Sequence, residues 1–409
     1  MIDQLRGELE RELRRLVSVW FPRVVDEEHG GFLCDFDFKW RASGPQRKML
    51  EYQARQTLAA ARGAARFPES ADLHDAALHG FRYLKERMWD SEHGGWYRML
   101  DRQGSPLESG SKHGHGYAYA ISACVACYRL TGSPECLELA RGAFGWIDGH
   151  AHDDEFGGYH VFLERDGTPI RTAARAPRPG QTHDPIGTPI GFKDANTTSD
   201  LLKAFSELYA VWPDALLKDR AAETLSVVRD RLVVPPGAMH MYAHPDWRPL
   251  PEPVRYGQVI RSANILTLAA LELGEAGDAT IRVAKSMLDA TLEAAWDRKQ
   301  GGFNLAGSAF GPIAMEDSVI YVENKRWWPQ ADGLTALAVM GRLFPGDAER
   351  YSAYFGQLWG YVKGFLIDAR HGGWYTTGLD TDRRARKGPK ATMWKDASHE
   401  IEALLECLG

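Results

Sequence analysis

Leu5, Leu9, Leu13, Leu16 and Trp20 open the chain at three- and four-residue spacing, with Arg and Glu filling the positions between them. That spacing places one apolar stripe along a helix of 3.6 residues per turn. The same grammar returns down the chain. It predicts twelve helices, over 3–20, 48–66, 70–88, 112–131, 133–148, 194–211, 214–232, 256–273, 276–295, 326–344, 346–366 and 392–407. Between them a signature of Asp, three variable residues, Gly-Gly and an aromatic repeats. Its copies begin at Asp26, Asp90, Asp153, Asp297 and Asp368 and end at Phe32, Trp96, Tyr159, Phe303 and Trp374. The glycine pairs are read as helix ends, because glycine tolerates the left-handed conformation that closes a helix. Alternating stretches such as 95–104 then predict small hairpins. A worn copy, Pro236-Gly237-Ala238-Met239, completes six units, and fixed-period similarity of this kind marks a repeat architecture.

Six helical hairpins either stack as an open solenoid or close into a ring. The even-numbered helices favour closure, because they carry polar and aromatic residues together: Tyr52 and Arg55; His113, His115 and Tyr117; Asn196 and Asp200; Gln258 and Arg261; Trp327, Trp328 and Gln330; Trp394 and His399. Polar groups inside a core need partners or a ligand cavity. Six such helices predict the inner ring of an all-α (α/α)6 barrel, a double toroid spanning 1–409 as one domain with short β-hairpin connections.

Composition narrows the function. The 409 residues carry 49 Lys and Arg against 55 Asp and Glu, a net charge of −6. No basic stripe beyond Arg383–Lys387 suggests a nucleic-acid partner, and no apolar run reaches membrane-spanning length. The N-terminal segment is too rich in Arg and Glu for a secretory signal. Five scattered cysteines form no disulfide framework, so a cytoplasmic protein is expected, monomeric or homodimeric. Cys124-Val-Ala-Cys127 lies in a run of small residues and reads as buried core. No metal site is evident, and no cofactor is expected.

Several runs carry a resemblance across the whole chain. They are Tyr52-Gln-Ala-Arg55, Gly94-Gly-Trp-Tyr97 with Lys112-His113, Asn196-Thr197, Leu208-Tyr-Ala-Val-Trp-Pro-Asp214, Lys325-Arg-Trp-Trp-Pro-Gln-Ala-Asp332 and Lys390-Ala-Thr-Met-Trp-Lys-Asp-Ala-Ser-His399. With these runs the sequence resembles the N-acylglucosamine 2-epimerase family, which includes cellobiose 2-epimerases and mannose isomerases. The resemblance implies a single (α/α)6 barrel that opens a sugar ring and removes the proton beside the aldehyde. Reprotonation at the opposite face gives a 2-epimer; reprotonation at C1 gives a ketose. A proton alpha to a carbonyl calls for a histidine base, and the enediolate oxygen for a fixed cation. By resemblance, His399 is the general acid/base and Arg55 the cation. Tyr52, His113, Tyr117, Asn196, Asp200, Gln258, Arg261, Trp328 and Trp394 are expected to bind the sugar, the tryptophans against its apolar ring faces.

Two runs depart from the family pattern. Where the family carries Gly-His-x-x-Glu on the eighth helix, this chain has Gly257-Gln258-Val-Ile-Arg261; its sixth helix replaces Asn-Thr-His-x-His-x-x-Glu-Ala with Asn196-Thr-Thr-Ser-Asp200-Leu-Leu-Lys203-Ala. Gln258 cannot exchange a proton at neutral pH. Three readings stay open: His399 alone shuttles a proton between C2 and C1; His113, His115 or Tyr117 supplies a second proton for epimerisation; or the barrel has turned to other chemistry or to binding alone. Added positive charge at Arg261 and Lys203 makes an acidic sugar a candidate, set against a plain Arg261–Asp200 pair. A carboxylate-based hydrolase or lyase using Asp200, Glu316, Glu323 or Asp332 is the alternative enzyme. The Pro-rich insertion 165–193 is long for a connection and is expected either to lie over the pocket mouth as a lid or to be a surface excursion.

Overall fold

The computed structural model describes residues 2–250, 252–274, 278–308 and 320–409. Twelve α-helices are found among them: α1 (Ile2–Trp20), α2 (Leu50–Arg66), α3 (Ala71–Tyr83), α4 (Gly114–Thr131), α5 (Pro134–Ala151), α6 (Ala195–Tyr209), α7 (Ala215–Val227), α8 (Tyr256–Glu272), α9 (Asp278–Ala294), α10 (Trp327–Leu343), α11 (Ala348–Tyr361) and α12 (Ser398–Leu408). The even-numbered helices pack each on the next, and α12 returns to pack on α2. The ring is closed. Odd-numbered helices form the outer wall, and α1 joins the two ends of the chain by packing on α12 and α11. The apolar stripe of α1 works as its spacing predicts: Leu9, Leu13, Leu16 and Trp20 are buried while Arg11, Arg14 and Ser18 are exposed.

All six inner helices run the same way, so their N-termini share one end of the barrel. Long connections reach that end (21–47, 89–113, 152–194, 233–255, 295–326 and 367–397), while short turns close the other. The long connections interlock by antiparallel pairing. Lys48–Met49 pairs with Met99–Leu100 of the next unit, and Lys112–His113 with Phe162–Leu163 of the one after.

Two expectations are corrected. The glycine pairs do not end helices. The helical segment after α3 stops at Met88, and Gly94 and Gly95 lie beyond it in a turn where both have positive φ (68° and 69°). A Cβ on Gly95 would collide with the Tyr117 hydroxyl, so glycine is needed for close approach as well as conformation. The last inner helix is also shorter than its pattern, beginning at Ser398 rather than 392. Thr392 to Lys395 instead form a turn, closed by Thr392 and Lys395 backbone bonds of 3.1 and 3.0 Å.

The turns serve a repeated buried ion pair. The signature aspartates accept from lysines that precede the inner helices: Lys48 to Asp26 at 2.8 Å, Lys112 to Asp90 at 3.3 Å, Lys193 to Asp153 at 2.7 Å, Lys325 to Asp297 at 2.5 Å and Lys390 to Asp368 at 2.6 Å. Each lysine is fully or almost fully buried, so breaking one pair strands the other charge. These five staples hold the long connections against the N-terminal rim of the inner ring.

The 165–193 segment is tied to the barrel. Arg165 Nε donates to Asp90 at 2.8 Å, and buried Asp184 meets His113 Nε2 at 2.8 Å. Ile170 and Ile190 pack on Val161 and Phe162 in a small apolar cluster of their own.

Candidate active site

The staple lysines set a register for the inner helices. Three and seven residues after them come Glu51 and Arg55, His115 and Tyr119, Asn196 and Asp200, Trp328 and Asp332. An i, i+4 spacing puts each pair on one helix face, here the face turned to the barrel axis. Residues five after the lysine turn the other way. Gln53, Tyr117 and Gln330 accept the backbone N–H of Phe32, Trp96 and Phe303 at 2.6, 2.7 and 2.8 Å, fastening the Gly-Gly turns.

The axial groups form one charged layer. Arg261 donates to Asp200 Oδ1 through Nη2 at 2.6 Å and Nε at 3.1 Å, and through Nη2 to the Tyr119 hydroxyl at 2.8 Å. Its Nη1 lies 3.7 Å from Asp332, whose other oxygen lies 3.4 Å from His399 Nδ1. Asp200 Oδ2 is 3.3 Å from His115 Nε2, and His115 Nδ1 is 3.5 Å from Glu51. Arg55 stacks over the Tyr119 ring at 4.0 Å and reaches Asp396 at 3.5 Å. A chain of contacts therefore runs from His115 through Asp200, Arg261 and Asp332 to His399.

Burial alone would push the Asp200 carboxyl up, but Arg261 and His115 outweigh it and hold the group far below the usual carboxylate range. Glu51 behaves likewise: burial opposes its charge, Arg98 and His115 favour it, and its pKa falls to about 2. His115 moves the other way. Burial disfavours its imidazolium, yet Asp200 and Glu51 prevail and raise its pKa. A carboxylate faces each ring nitrogen, and both favour the charged form of His115. Two tryptophans flank the layer, half-buried Trp328 at 5.9 Å from the His399 ring and Trp394, 40% exposed, at 6.5 Å from the His115 ring.

The expected site residues divide. Arg55, Asp200, Arg261, Trp328, Trp394 and His399 come together. Gln258 stands on α8 one turn before Arg261, buried, with its Nε2 donating to Ser262 at 3.1 Å. Asn196 is half-buried one turn before Asp200. Three residues belong elsewhere. Tyr52 is fully buried, donating to the Leu33 carbonyl at 2.9 Å and accepting from Gln56 at 2.8 Å. Tyr117 stacks on Trp146 and caps Trp96. His113 caps α4 through Nδ1 and binds Asp184 through Nε2. Their positions one, four and five after a staple lysine turn them from the axis. Of the alternative carboxylates, Asp332 lies in the layer, Glu323 is exposed, and Glu316 lies outside the described residues. Sequence reasoning misses Glu51, Tyr119 and Asp396 as site residues; the i, i+4 partnership with Arg55 or His115 is the signal that picks out the first two.

The family profile for N-acylglucosamine 2-epimerase (GlcNAc 2-epimerase) matches residues 30–176 and 187–399. The chain belongs to the N-acylglucosamine 2-epimerase family. Within it, cellobiose 2-epimerase of Bacteroides fragilis is 26% identical over the full length of both chains. D-mannose isomerase of Thermobifida fusca is 24% identical over 90% of this chain and 86% of its own. The solved structure of cellobiose 2-epimerase from Bacillus thermoamylovorans superposes with a TM-score of 0.85 at 21% identity, covering 99% of each chain. Membership of the N-acylglucosamine 2-epimerase family places the chain among enzymes that epimerise or isomerise sugars. Glycoside hydrolases share the barrel more distantly; a GH76 α-mannanase of Bacteroides thetaiotaomicron gives a TM-score of 0.62 at 11% identity, a likeness of fold alone. No helix among the described residues is long and apolar enough to cross a membrane.

Proposed function

We propose that this member of the family interconverts an aldose and a ketose of a neutral, open-chain sugar, with His399 as the single proton carrier. The observation that carries the reading is the state of the two axial histidines. His115 has both nitrogens against carboxylates, whereas His399 is oriented through Nδ1 by Asp332 and leaves Nε2 for substrate. Gln258, on α8 where the family has its other histidine, offers an amide that holds a hydroxyl but carries no proton.

The chemistry then follows from the layer. His399 Nε2 takes the C2 proton, and the charge developing on O1 is met by Arg55, a fixed cation in a dry setting. The same nitrogen returns the proton to C1 while the O2 hydroxyl proton passes to O1, leaving a ketone at C2. Trp328 and Trp394 supply faces for the sugar carbons. Arg261 is matched by Asp200 and Asp332, and Arg55 by Asp396, so the layer holds no excess cation for an acidic substituent. This charge balance supports a neutral sugar. Five buried free cysteines support a cytoplasmic setting.

The test uses D-mannose and cellobiose, sugars suggested by the relatives, with the wild type and His399→Asn. The wild type is expected to release the ketose, and His399→Asn to lose about 10²- to 10⁴-fold in turnover, the usual worth of a positioned acid/base. A 2-epimer as first product would transfer the second proton to His115, which its raised pKa suits as a donor. Full turnover by His399→Asn would remove the reading altogether.

A further inference from the structure

The carboxylate of Asp396 has partners on two walls of the barrel, the one that carries His399 and the one that carries Arg55. Asp396 is 1% exposed and stands just before α12. Its Oδ1 accepts the Ser398 backbone N–H at 2.8 Å and the Ser398 hydroxyl at 2.6 Å. Ser398 is the first residue of α12 and His399 the second. A side-chain oxygen that takes up a free N–H at a helix start fixes where the helix begins, and His399 is fixed with it. Asp396 Oδ2 has a different partner, Arg55 Nη1 on α2 at 3.5 Å.

Arg55 has little else to direct it. Its Nε is buried and has no hydrogen-bond partner among the described residues, and Asp396 is the one carboxylate among them in ion-pair contact with its guanidinium. The pair is long, but both side chains are buried, and charges kept from water act strongly over such a distance. The Tyr119 ring, 4.0 Å from the guanidinium, offers a face without a directional bond. Its hydroxyl is taken by Arg261 at 2.8 Å. A guanidinium released from Asp396 would be free to settle along that face at another distance from His399. Trp394 belongs to the same stretch of chain: its backbone N–H donates to Thr392 Oγ1 at 3.2 Å, two residues before Asp396.

We propose that Asp396 is a positioning residue for the reaction, one carboxylate that sets Arg55 and the first turn of α12 against each other. The cation for O1 and the base for C2 then keep a fixed spacing. The proposal rests on the reading of Arg55 and His399 given above. A cation stabilises the charge on O1 only if it is already in place when that charge develops. A misplacement of about 1 Å costs up to about 10²-fold in rate. Asp396 touches no substrate atom in this role; it acts through Arg55.

Steady-state kinetics on D-mannose read the role through a double-mutant cycle. Asp396→Asn keeps an oxygen for Ser398, since Asn serves a helix start as well as Asp does, and removes the charge that faces Arg55. It is expected to lower kcat about tenfold and to change KM by less than about twofold, the pattern of a contact made only in the transition state. Arg55→Gln is expected to lower kcat by about 10²-fold. Adding Asp396→Asn to Arg55→Gln is expected to change nothing further, whereas a purely structural role gives the same loss in both backgrounds. Wild-type kcat in Asp396→Asn, or equal losses with Arg and with Gln at position 55, overturns the proposal. Full turnover by Arg55→Gln strikes instead at the reading of Arg55 as the cation. A second measurement needs no variant: a crystal structure of the wild type with D-mannitol bound. Arg55 is expected to bridge Asp396 Oδ2 and a terminal hydroxyl. Arg55 on the hydroxyl but turned from Asp396 overturns the proposal; Arg55 away from every hydroxyl overturns the reading of the site.

Discussion

Asp200→Asn tests the charged layer most directly. In the wild type one carboxylate, 3% exposed, accepts two bonds from Arg261 and faces His115 at 3.3 Å. Asparagine keeps the shape and one acceptor oxygen but removes the charge. Arg261 is left with Asp332 at 3.7 Å, and His115 with Glu51 at 3.5 Å. Breaking a buried pair from one side costs about 3–5 kcal/mol, and the retained oxygen puts this case near 3. An unfolding entropy of about 2.1 cal/mol/K per residue gives about 0.9 kcal/mol/K for a chain of this length, so the midpoint should fall by about 3–4 °C. Thermal and urea denaturation measure it, and a double-mutant cycle isolates the pair. Arg261→Gln alone should destabilise similarly by stranding Asp200, while the double variant should cost clearly less than the sum. The variant layer also gains one net positive charge, so glucuronate should bind Asp200→Asn more tightly than wild type, with an effect that fades in salt. Strict additivity, or a single-variant loss under about 0.5 kcal/mol, would refute the claim that Asp200 is the centre of the layer.

Two further outcomes follow from the surrounding structure. Burial, reinforced by Arg171, brings the His160 pKa from 6.5 down to about 4; the unfolded chain binds the proton first, so stability is full above pH 6.5 and declines by about 3 kcal/mol as pH falls to 4, and His160→Phe should flatten that limb in thermal scans taken across the range. The 165–193 segment is anchored by a buried carboxylate–imidazole contact, so Asp184→Ala should lower stability by about 1–3 kcal/mol and leave KM for the sugar unmoved; a raised KM with unchanged stability would identify the segment as a lid instead.

The ring is legible in the sequence because one pattern is written six times. Helix positions follow from apolar spacing, and eleven of the twelve begin within a few residues of expectation. The twelfth departs for a physical reason. Thr392, Met393 and Trp394 continue a helical-looking pattern, but Lys395 is drawn to Glu400 at 2.7 Å and Asp396 to Ser398 at 2.8 Å, and those side-chain bonds hold a turn. Local conformation alone makes Gly-Gly read as a helix end. Its true neighbour, a tyrosine or glutamine on the next inner helix, is twenty-odd residues away in sequence.

Residue type is a weaker guide to the site than position in the repeat. His113 and Tyr117 look catalytic by chemistry, yet they stand one and five residues after Lys112, as Met49 and Gln53 stand after Lys48. Gln53 fastens a turn, and Tyr117 does the same work with a different group. His115 and Tyr119 stand three and seven after the lysine, at the positions of Glu51 and Arg55. Superimposing the repeats on their buried lysines selects this inward pair from the amino-acid sequence alone. Arg261, whose unit has no staple lysine, is placed at the same height by its contacts. A cation at that height meets Asp200 on one neighbouring helix and Asp332 on the other. A glutamate there would face two carboxylates. Arg261 and Asp200 therefore work as one unit, the cation at 261 requiring the carboxylate at 200 and drawing on Asp332 from the other side.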